Sequence, residues 1–320
     1  MENQEMYFDT DNVQKQDNQQ PEIKNEDTTA IQTDTNQTDE VQTDEKGFST
    51  EELNDPNKIK VTISDTTTPI VVLFGPPSCG KTMTLVRLAR YLQNQGYTVK
   101  PEKSFRPSYD KNYIEMCNGF NTKIYSDDAA ESTKNINFML IRVFLGSRPI
   151  CQILEGPGEY YFDPKKPADP FPKYVNAIIN SNNRKLWAVL LEPDETNTRM
   201  DTPQRALYTQ KIAKLKSRLR PMDKVMFVLN KVDETLFVRT PGNIDYGQAK
   251  RQVEQWYQNI FEPFKNVNPI TKLWKPYNCD FIAFQTGDFS KANDGTLTFQ
   301  EGSDIYPRNL WQLITKKLKG

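Results

Sequence analysis

Eight consecutive residues, Gly75-Pro76-Pro77-Ser78-Cys79-Gly80-Lys81-Thr82, follow the pattern G-x-x-x-x-G-K-[ST]. The apolar run Ile70–Phe74 precedes them. A helical pattern over Thr82–Asn94 follows, with Leu85, Leu88, Ala89 and Leu92 on one face and Gly96 as its stop. Between a strand and a helix, such a loop turns its backbone N–H groups into a concavity for phosphate oxygens, and the helix N-terminus adds positive potential. Lys81 is expected to reach the β- and γ-phosphates of a nucleotide, and the Thr82 hydroxyl to ligate Mg²⁺. Cys79 reads as a small packing residue.

A second group, Asn230-Lys231-Val232-Asp233, directly follows the apolar run Val225–Leu229. A carboxylate here can accept from guanine N1–H and from its 2-amino group. Adenine offers neither donor in that arrangement, so a wrong base would leave the carboxylate unpaired.

These motifs sit in a chain of 320 residues with 41 Lys+Arg and 42 Asp+Glu. The near-neutral total hides an acidic leader, net −11 over residues 1–60, and a basic remainder, net +10. The absence of histidine excludes Ser-His-Asp hydrolases, His-ligated zinc hydrolases and His-ligated haem proteins. Cys79, Cys117, Cys151 and Cys279 are far apart and form no C-x-x-C pair. That spacing fits a reducing, cytoplasmic compartment rather than a zinc or disulfide framework. The first residues carry no secretory pattern, and the longest apolar runs, about five residues, are far short of a membrane span.

Residues 1–58 are rich in Gln, Asn, Thr, Asp and Glu and repeat Gln-Thr-Asp at 32, 37 and 42. They are expected to be a disordered acidic arm, because they hold too little apolar surface to offset ordering entropy. From residue 59 to 320, short apolar runs alternate with helical patterns, which implies one α/β domain with a doubly wound, mostly parallel sheet. Residues 101–135 read as irregular and polar. Ile136–Leu145 and Ile150–Glu155, joined by Gly146-Ser147-Arg148-Pro149, predict a hairpin and hence one antiparallel edge strand. Further strands are expected at Leu186–Leu191, Val225–Leu229 and Phe281–Phe284. Helices are expected from Thr202-Pro203, over Tyr246–Phe261, and over Asn309–Leu318. Lys211, Lys214 and Arg218 share a helix face that reads as solvated surface. Trp256, Tyr257 and Phe261 read as core, so no nucleic-acid surface is evident.

With these motifs in this order, residues 60–320 resemble the P-loop GTPases of the Ras-like, translation-factor-related (TRAFAC) class. The resemblance implies Mg²⁺-dependent binding of GTP and GDP, slow hydrolysis of GTP, and use as a conformational switch. By it, Gly75 to Thr82 bind the phosphates and Asn230, Lys231 and Asp233 the base. Glu155-Gly156-Pro157-Gly158 stands where the family has D-x-x-G. Glu155 would then contact Mg²⁺ with Thr82, and the Gly158 N–H would bind the γ-phosphate. Glu159 holds the water-orienting position as an acid, which implies slow turnover. Gln285-Thr286-Gly287 stands where a backbone loop touches guanine. The switch threonine is Thr133, with Thr122 as second choice. Arg106, Arg142 and Arg148 are each conceivable transition-state arginines. A protein partner is expected through the switch regions or the acidic arm. The alternatives are a nucleotide-binding scaffold without useful turnover and a P-loop ATPase.

Overall fold

Ile70–Phe74 places five apolar residues in a row, and they form β1, buried along its whole length. A strand covered on both faces needs that continuous run rather than alternation. The computed structural model describes residues 48–125, 138–193, 200–291 and 297–319. Within them β1 lies near the middle of a seven-stranded sheet, together with β2 (Thr98–Pro101), β3 (Met139–Leu145), β4 (Arg148–Glu155), β5 (Lys185–Leu191), β6 (Lys224–Leu229) and β9 (Asp280–Ala283). The order is β2-β3-β4-β1-β5-β6-β9. The pairs β4–β1, β1–β5, β5–β6 and β6–β9 are parallel, whereas β3 runs antiparallel to β4 and to β2. The doubly wound, mostly parallel reading therefore holds, with the hairpin β3–β4 supplying the antiparallel strand. The short strand β2 lies outside β3.

Two small ribbons stand apart from the sheet: β7 (Val238–Thr240) with β8 (Asn243–Ile244), and β10 (Asp288–Lys291) with β11 (Leu297–Gln300). The helices are α1 (Thr50–Asn54), α2 (Lys81–Asn94), α3 (Lys111–Asn118), α4 (Phe120–Ile124), α5 (Gly158–Tyr161), α6 (Lys173–Asn180), α7 (Thr202–Lys216), α8 (Tyr246–Trp256), α9 (Pro269–Trp274) and α10 (Ile305–Lys319). Helix α7 is capped by Asp201 in a capping box with Gln204, one residue before the expected start. Helix α8 stops at Trp256, short of the expected Phe261; Asn259 beyond it takes a left-handed φ of 62°.

Two expectations are corrected. The domain begins before residue 59: Phe48 is buried, its ring 5.3 Å from that of Phe138, and Ser49 caps α1 with a capping box to Glu52. The expected arm thus loses residues 48–58 to the domain, and its residues 1–47 lie outside the described residues. The stretch 101–135 is not irregular throughout: Lys103–Phe105, Lys111–Asn118 and Phe120–Ile124 are helical, and residues 126–135 lie outside the described residues. Tyr113, Met116, Cys117, Phe120 and Ile124 are buried on α3 and α4 in the common core. Two glycine-free helices sit on either side of Gly119; Pro101 ends β2 and Pro107 lies in the turn before α3.

Candidate functional site

The five parallel strands end on one side of the sheet, which is where open α/β sheets place their ligands. There β1 passes into Gly75–Gly80 and then α2. The turn needs two left-handed residues, Ser78 (φ 64°) and Gly80 (φ 87°). Gly75 and Cys79 are packed face to face, since a Cβ on Gly75 would stand 2.5 Å from the Cys79 Sγ. Burial pushes the Cys79 thiol up to about 11, which leaves it inert as a nucleophile. Lys81 is buried and its Nζ donates to the Pro76 carbonyl at 2.9 Å, spanning the loop from end to end.

Glu155, the last residue of β4, is buried beside the loop and accepts from Thr82 Oγ1 at 3.0 Å through Oε1. Its Oε2 is buried without a hydrogen-bond partner. Burial raises its pKa to about 8; Lys81 and the Thr82 hydroxyl pull it down, and Glu159 pushes it further up. An orphaned carboxylate oxygen beside a hydroxyl oxygen is the kind of oxygen donor set that a hard divalent cation takes. Thr82 and Glu155 would hold Mg²⁺ there.

Gly158, at the start of α5, lies directly against the loop. A Cβ on it would stand 2.3 Å from Pro76 C and from Pro77 N, so no side chain can be added without moving backbone. The Glu155–Gly158 segment is thus in contact with the phosphate loop at both ends, with Glu159 following.

Asn230 follows β6, fully buried, and its Nδ2 donates to the Cys79 carbonyl at 3.0 Å. Its amide occupies the space over Gly80, where a Cβ would come within 2.1 Å of Nδ2. The base-reading candidate is therefore fastened to the phosphate loop. Lys231, left-handed at φ 53°, pairs with Glu192 at 2.5 Å. Asp233 stands at the mouth of a cavity of about 160 Å³; the residue is exposed, but partial desolvation of its carboxyl raises the pKa, and Asp288 raises it further. Ser78, Gly80, Asn230, Lys231 and Thr286 line the same cavity. Gln285 does not line it: its amide turns aside to Asp288 at 3.0 Å.

Several residues around this cavity are absent from the motifs. Met83 and Phe289 line it, and Phe299 packs on Met83. The ribbon β10–β11 thereby leans on α2, clamped by Arg87, which pairs with Glu301 at 2.5 Å and Asp304 at 2.7 Å. Gly287 permits this turn with φ 156°, since a Cβ would stand 2.4 Å from the Gln300 carbonyl. The ribbon has a sequence signal in Asp294-Gly295 between alternating residues. Glu192 could have been found from its place at the carboxyl end of β5.

Other expected residues lie elsewhere. Thr133 lies outside the described residues. Thr122 is exposed on α4, beside Asn121, which accepts from Gln93 at the far end of α2. A helix rises about 1.5 Å per residue, so this is far from the phosphate loop. Arg106 is buried between Glu52 and Asp110, and Arg142 pairs with Asp65 at 2.8 Å below the start of β1. Arg148 opens β4 at the hairpin turn, the opposite end from Glu155. None of the three faces the loop. Lys211 is not solvated surface: it is buried, donates to the Asp169 carbonyl and lies 4.4 Å from the Phe171 ring centre.

No family model and no curated protein matches the sequence. Among solved structures, the chain is similar to the GTPase-like domain of S. cerevisiae Ski7 bound to GDP and inorganic phosphate. That match has 13% identity and a TM-score of 0.40, over 79% of this chain and 51% of the other. It is similar to a structure of the chloroplast translocon components atToc33 and psToc159, at 12% identity and TM-score 0.41, over 80% and 84%. It is also similar to Methanosarcina barkeri Roco2 RocCORdC bound to GDP, at 12% identity and TM-score 0.33, over 82% and 50%. The chain spans about half the length of the first and third of these. By its own sheet order, its phosphate loop at the end of β1 and its antiparallel β3, the chain has a P-loop GTPase-like fold.

Proposed function

We propose that this protein binds GTP and GDP with Mg²⁺, hydrolyses GTP slowly, and works as a conformational switch. The observation that carries the reading is the hydrogen bond from Asn230 to the Cys79 carbonyl. It ties the Asn230–Asp233 segment to the Gly75–Thr82 loop, which supports a single ligand that spans both, phosphates at one end and a base at the other. In this reading the loop N–H groups and Lys81 bind the phosphates, and Asp233 accepts from the guanine edge. Mg²⁺, held by Thr82 and Glu155, neutralises phosphate charge. Phosphoryl transfer needs positioning and charge neutralisation more than a strong base, which suits a chain without histidine. The Glu159 carboxylate accepts a hydrogen bond from water but adds negative charge beside the developing anion, which slows turnover. The Gly158 N–H contacts the γ-phosphate only when it is present, so residues 156–172 respond to the nucleotide state. A cytoplasmic location and a protein partner reading that segment or the acidic arm belong to the same proposal.

The test is nucleotide analysis of the purified protein, followed by competition of GTP against ATP. Lys81→Ala should abolish tight binding, since a charge-assisted contact contributes about 1.5–3 kcal/mol. Wild-type affinity in that variant refutes the phosphate site, and preference for ATP makes the protein a P-loop ATPase instead. The pairing of Glu159 with the raised carboxyl of Glu155 favours a second reading, a nucleotide-binding scaffold without useful turnover. Single-turnover hydrolysis of bound GTP separates the two.

A further inference from the structure

Between Phe264 and Asn278 the chain leaves the body as a closed finger. Its neck is pinned by Asn278 N donating to the Phe264 carbonyl at 2.6 Å and Asn266 N donating to the Pro276 carbonyl at 2.8 Å. Helix α9 forms its tip, capped by Asn268 and braced by the Asn266 amide on Thr271 Oγ1. Such a brace holds a six-residue helix that packing does not support. Every residue from 267 to 276 is exposed.

The tip is apolar on one face. Ile270 (71% exposed), Leu273 (83%) and Trp274 (87%) follow the i, i+3, i+4 spacing of a helix, and Val267 (93%) lies just before its cap. Exposures this high place whole side chains beyond their neighbours, on a convex knob. An isolated exposed leucine needs no explanation, but four large apolar side chains on one braced tip do.

Charge identifies the occupant. From Pro263 to Cys279 there are three lysines, Lys265, Lys272 and Lys275, and no acid. The finger precedes β9, so it stands at the amino ends of the parallel strands, the pole opposite the phosphate loop. The basic end of α10 reaches the same pole, where Lys317 pairs with Asp280 at 2.6 Å and leaves Lys316 and Lys319 exposed. Of the acids nearest the finger, Glu262 pairs with Lys265 and Asp280 with Lys317, while Glu254 accepts from the Tyr277 hydroxyl; Asp223, before β6, is held by Lys185 and Arg220. A convex apolar tip ringed by lysines, with a tryptophan at its edge, matches an anionic lipid surface: the apolar groups enter the acyl boundary and the lysines meet the headgroups.

We propose that the finger 264–278 docks this protein on an anionic membrane surface, with the opposite pole and its nucleotide site facing away from the lipid. The experiment is co-sedimentation of the full chain with vesicles of two-thirds phosphatidylcholine and one-third phosphatidylserine, and with phosphatidylcholine alone. The wild type should bind the anionic vesicles, and brominated lipid should quench its fluorescence. Leu273→Ser with Trp274→Ser should lower partitioning by about tenfold or more, with the unfolding temperature unchanged because neither side chain is packed. Lys272→Gln and Lys275→Gln should each cost about fivefold. Trp274→Phe should keep binding and lose most of the quenching, which locates the tip in the lipid. No binding to the anionic vesicles overturns the proposal, as does binding that survives the double serine variant. Self-association abolished by that variant, without vesicle binding, assigns the knob to a second copy of the chain instead.

Discussion

Thr82 at the start of α2 donates its hydroxyl to Glu155 at the end of β4, across 3.0 Å, and the other Glu155 oxygen is buried without a partner. A helix start and a strand end are thus joined by one side-chain contact that is only half complete. A group kept in that state costs the empty protein stability, which makes its function measurable through folding.

Glu155→Gln should separate stability from function. Burial raises the Glu155 carboxyl from 4.5 to about 8, so the folded state keeps a proton that the unfolded chain releases. Stability therefore falls as pH rises from about 4.5 to about 8 and is flat beyond. Glutamine resembles the protonated acid but cannot ionise. The nucleotide-stripped variant should match the wild type near pH 4.5 and exceed it by on the order of 4 kcal/mol at pH 8. Its Mg²⁺-dependent nucleotide affinity should fall tenfold or more. Denaturant melts at both pH values, with a Mg²⁺ titration, test this; a less stable variant at pH 8 sinks the account.

Gly158→Ala should disturb the phosphate loop without touching a ligand. The added methyl would stand 2.3 Å from Pro76 C and Pro77 N, both backbone atoms of that loop. Overpacking of this kind costs about 1–3 kcal/mol. Affinity for both GDP and GTP should drop, measured by titration, because the loop shifts whichever nucleotide is bound. Unchanged GDP affinity would show that Gly158 matters only through its N–H.

Asp65 predicts an acid limb. Burial pushes its carboxyl up, but hydrogen bonds from Thr68 and Thr67 outweigh this and hold it at about 2, below its usual 3.8. A depressed carboxyl contributes stability that is present above about 3.8 and lost as pH falls through about 2. Asp65 also pairs with Arg142, while its backbone carbonyl accepts from Gln152 and Asn183, so it knots the strands below β1. The carboxylate is partly solvated, which reduces the contribution to about 1 kcal/mol. Asp65→Asn should lose that amount at pH 6 and nothing near pH 2, by denaturant midpoints.

The motifs were legible where the chemistry is local. Gly75 to Thr82 needs only a strand, a turn and a helix in sequence, and each piece carries its own signal. Tyr113, Met116, Cys117 and Phe120 also keep helical spacing, but the surrounding polar residues and two prolines mask it. Glu192 and Phe289 are different. The pairing of Glu192 with Lys231 depends on β5 lying beside β6, and the place of Phe289 at the cavity depends on the ribbon leaning on Met83; both relations are set by packing between distant segments. Phe48 was hidden by its polar neighbourhood, since one aromatic residue in an acidic tail gives no periodicity to read.

Asp233→Asn tests base choice, the centre of the functional reading. Asp233 stands at the mouth of the cavity that Asn230 ties to the phosphate loop, with Lys231 held back by Glu192. Its carboxylate is proposed to accept from guanine N1–H and the 2-amino group. Xanthine carries an oxygen at position 2, which would meet the carboxylate lone pair to lone pair. Asparagine replaces one acceptor with an amide donor, so the variant should lose GTP affinity and gain affinity for xanthosine triphosphate. An unpaired buried polar group costs about 1–3 kcal/mol, so each change should be roughly tenfold or larger. Partial desolvation already raises the Asp233 carboxyl, and ionisation is needed to accept from both donors. GTP affinity of the wild type should therefore weaken at acid pH, while the asparagine variant, with nothing to titrate there, should not show that loss. Competition titrations of both nucleotides at two pH values measure all of this. A variant that still prefers GTP removes Asn230–Asp233 as the base-reading loop and leaves the GTP assignment without its main support.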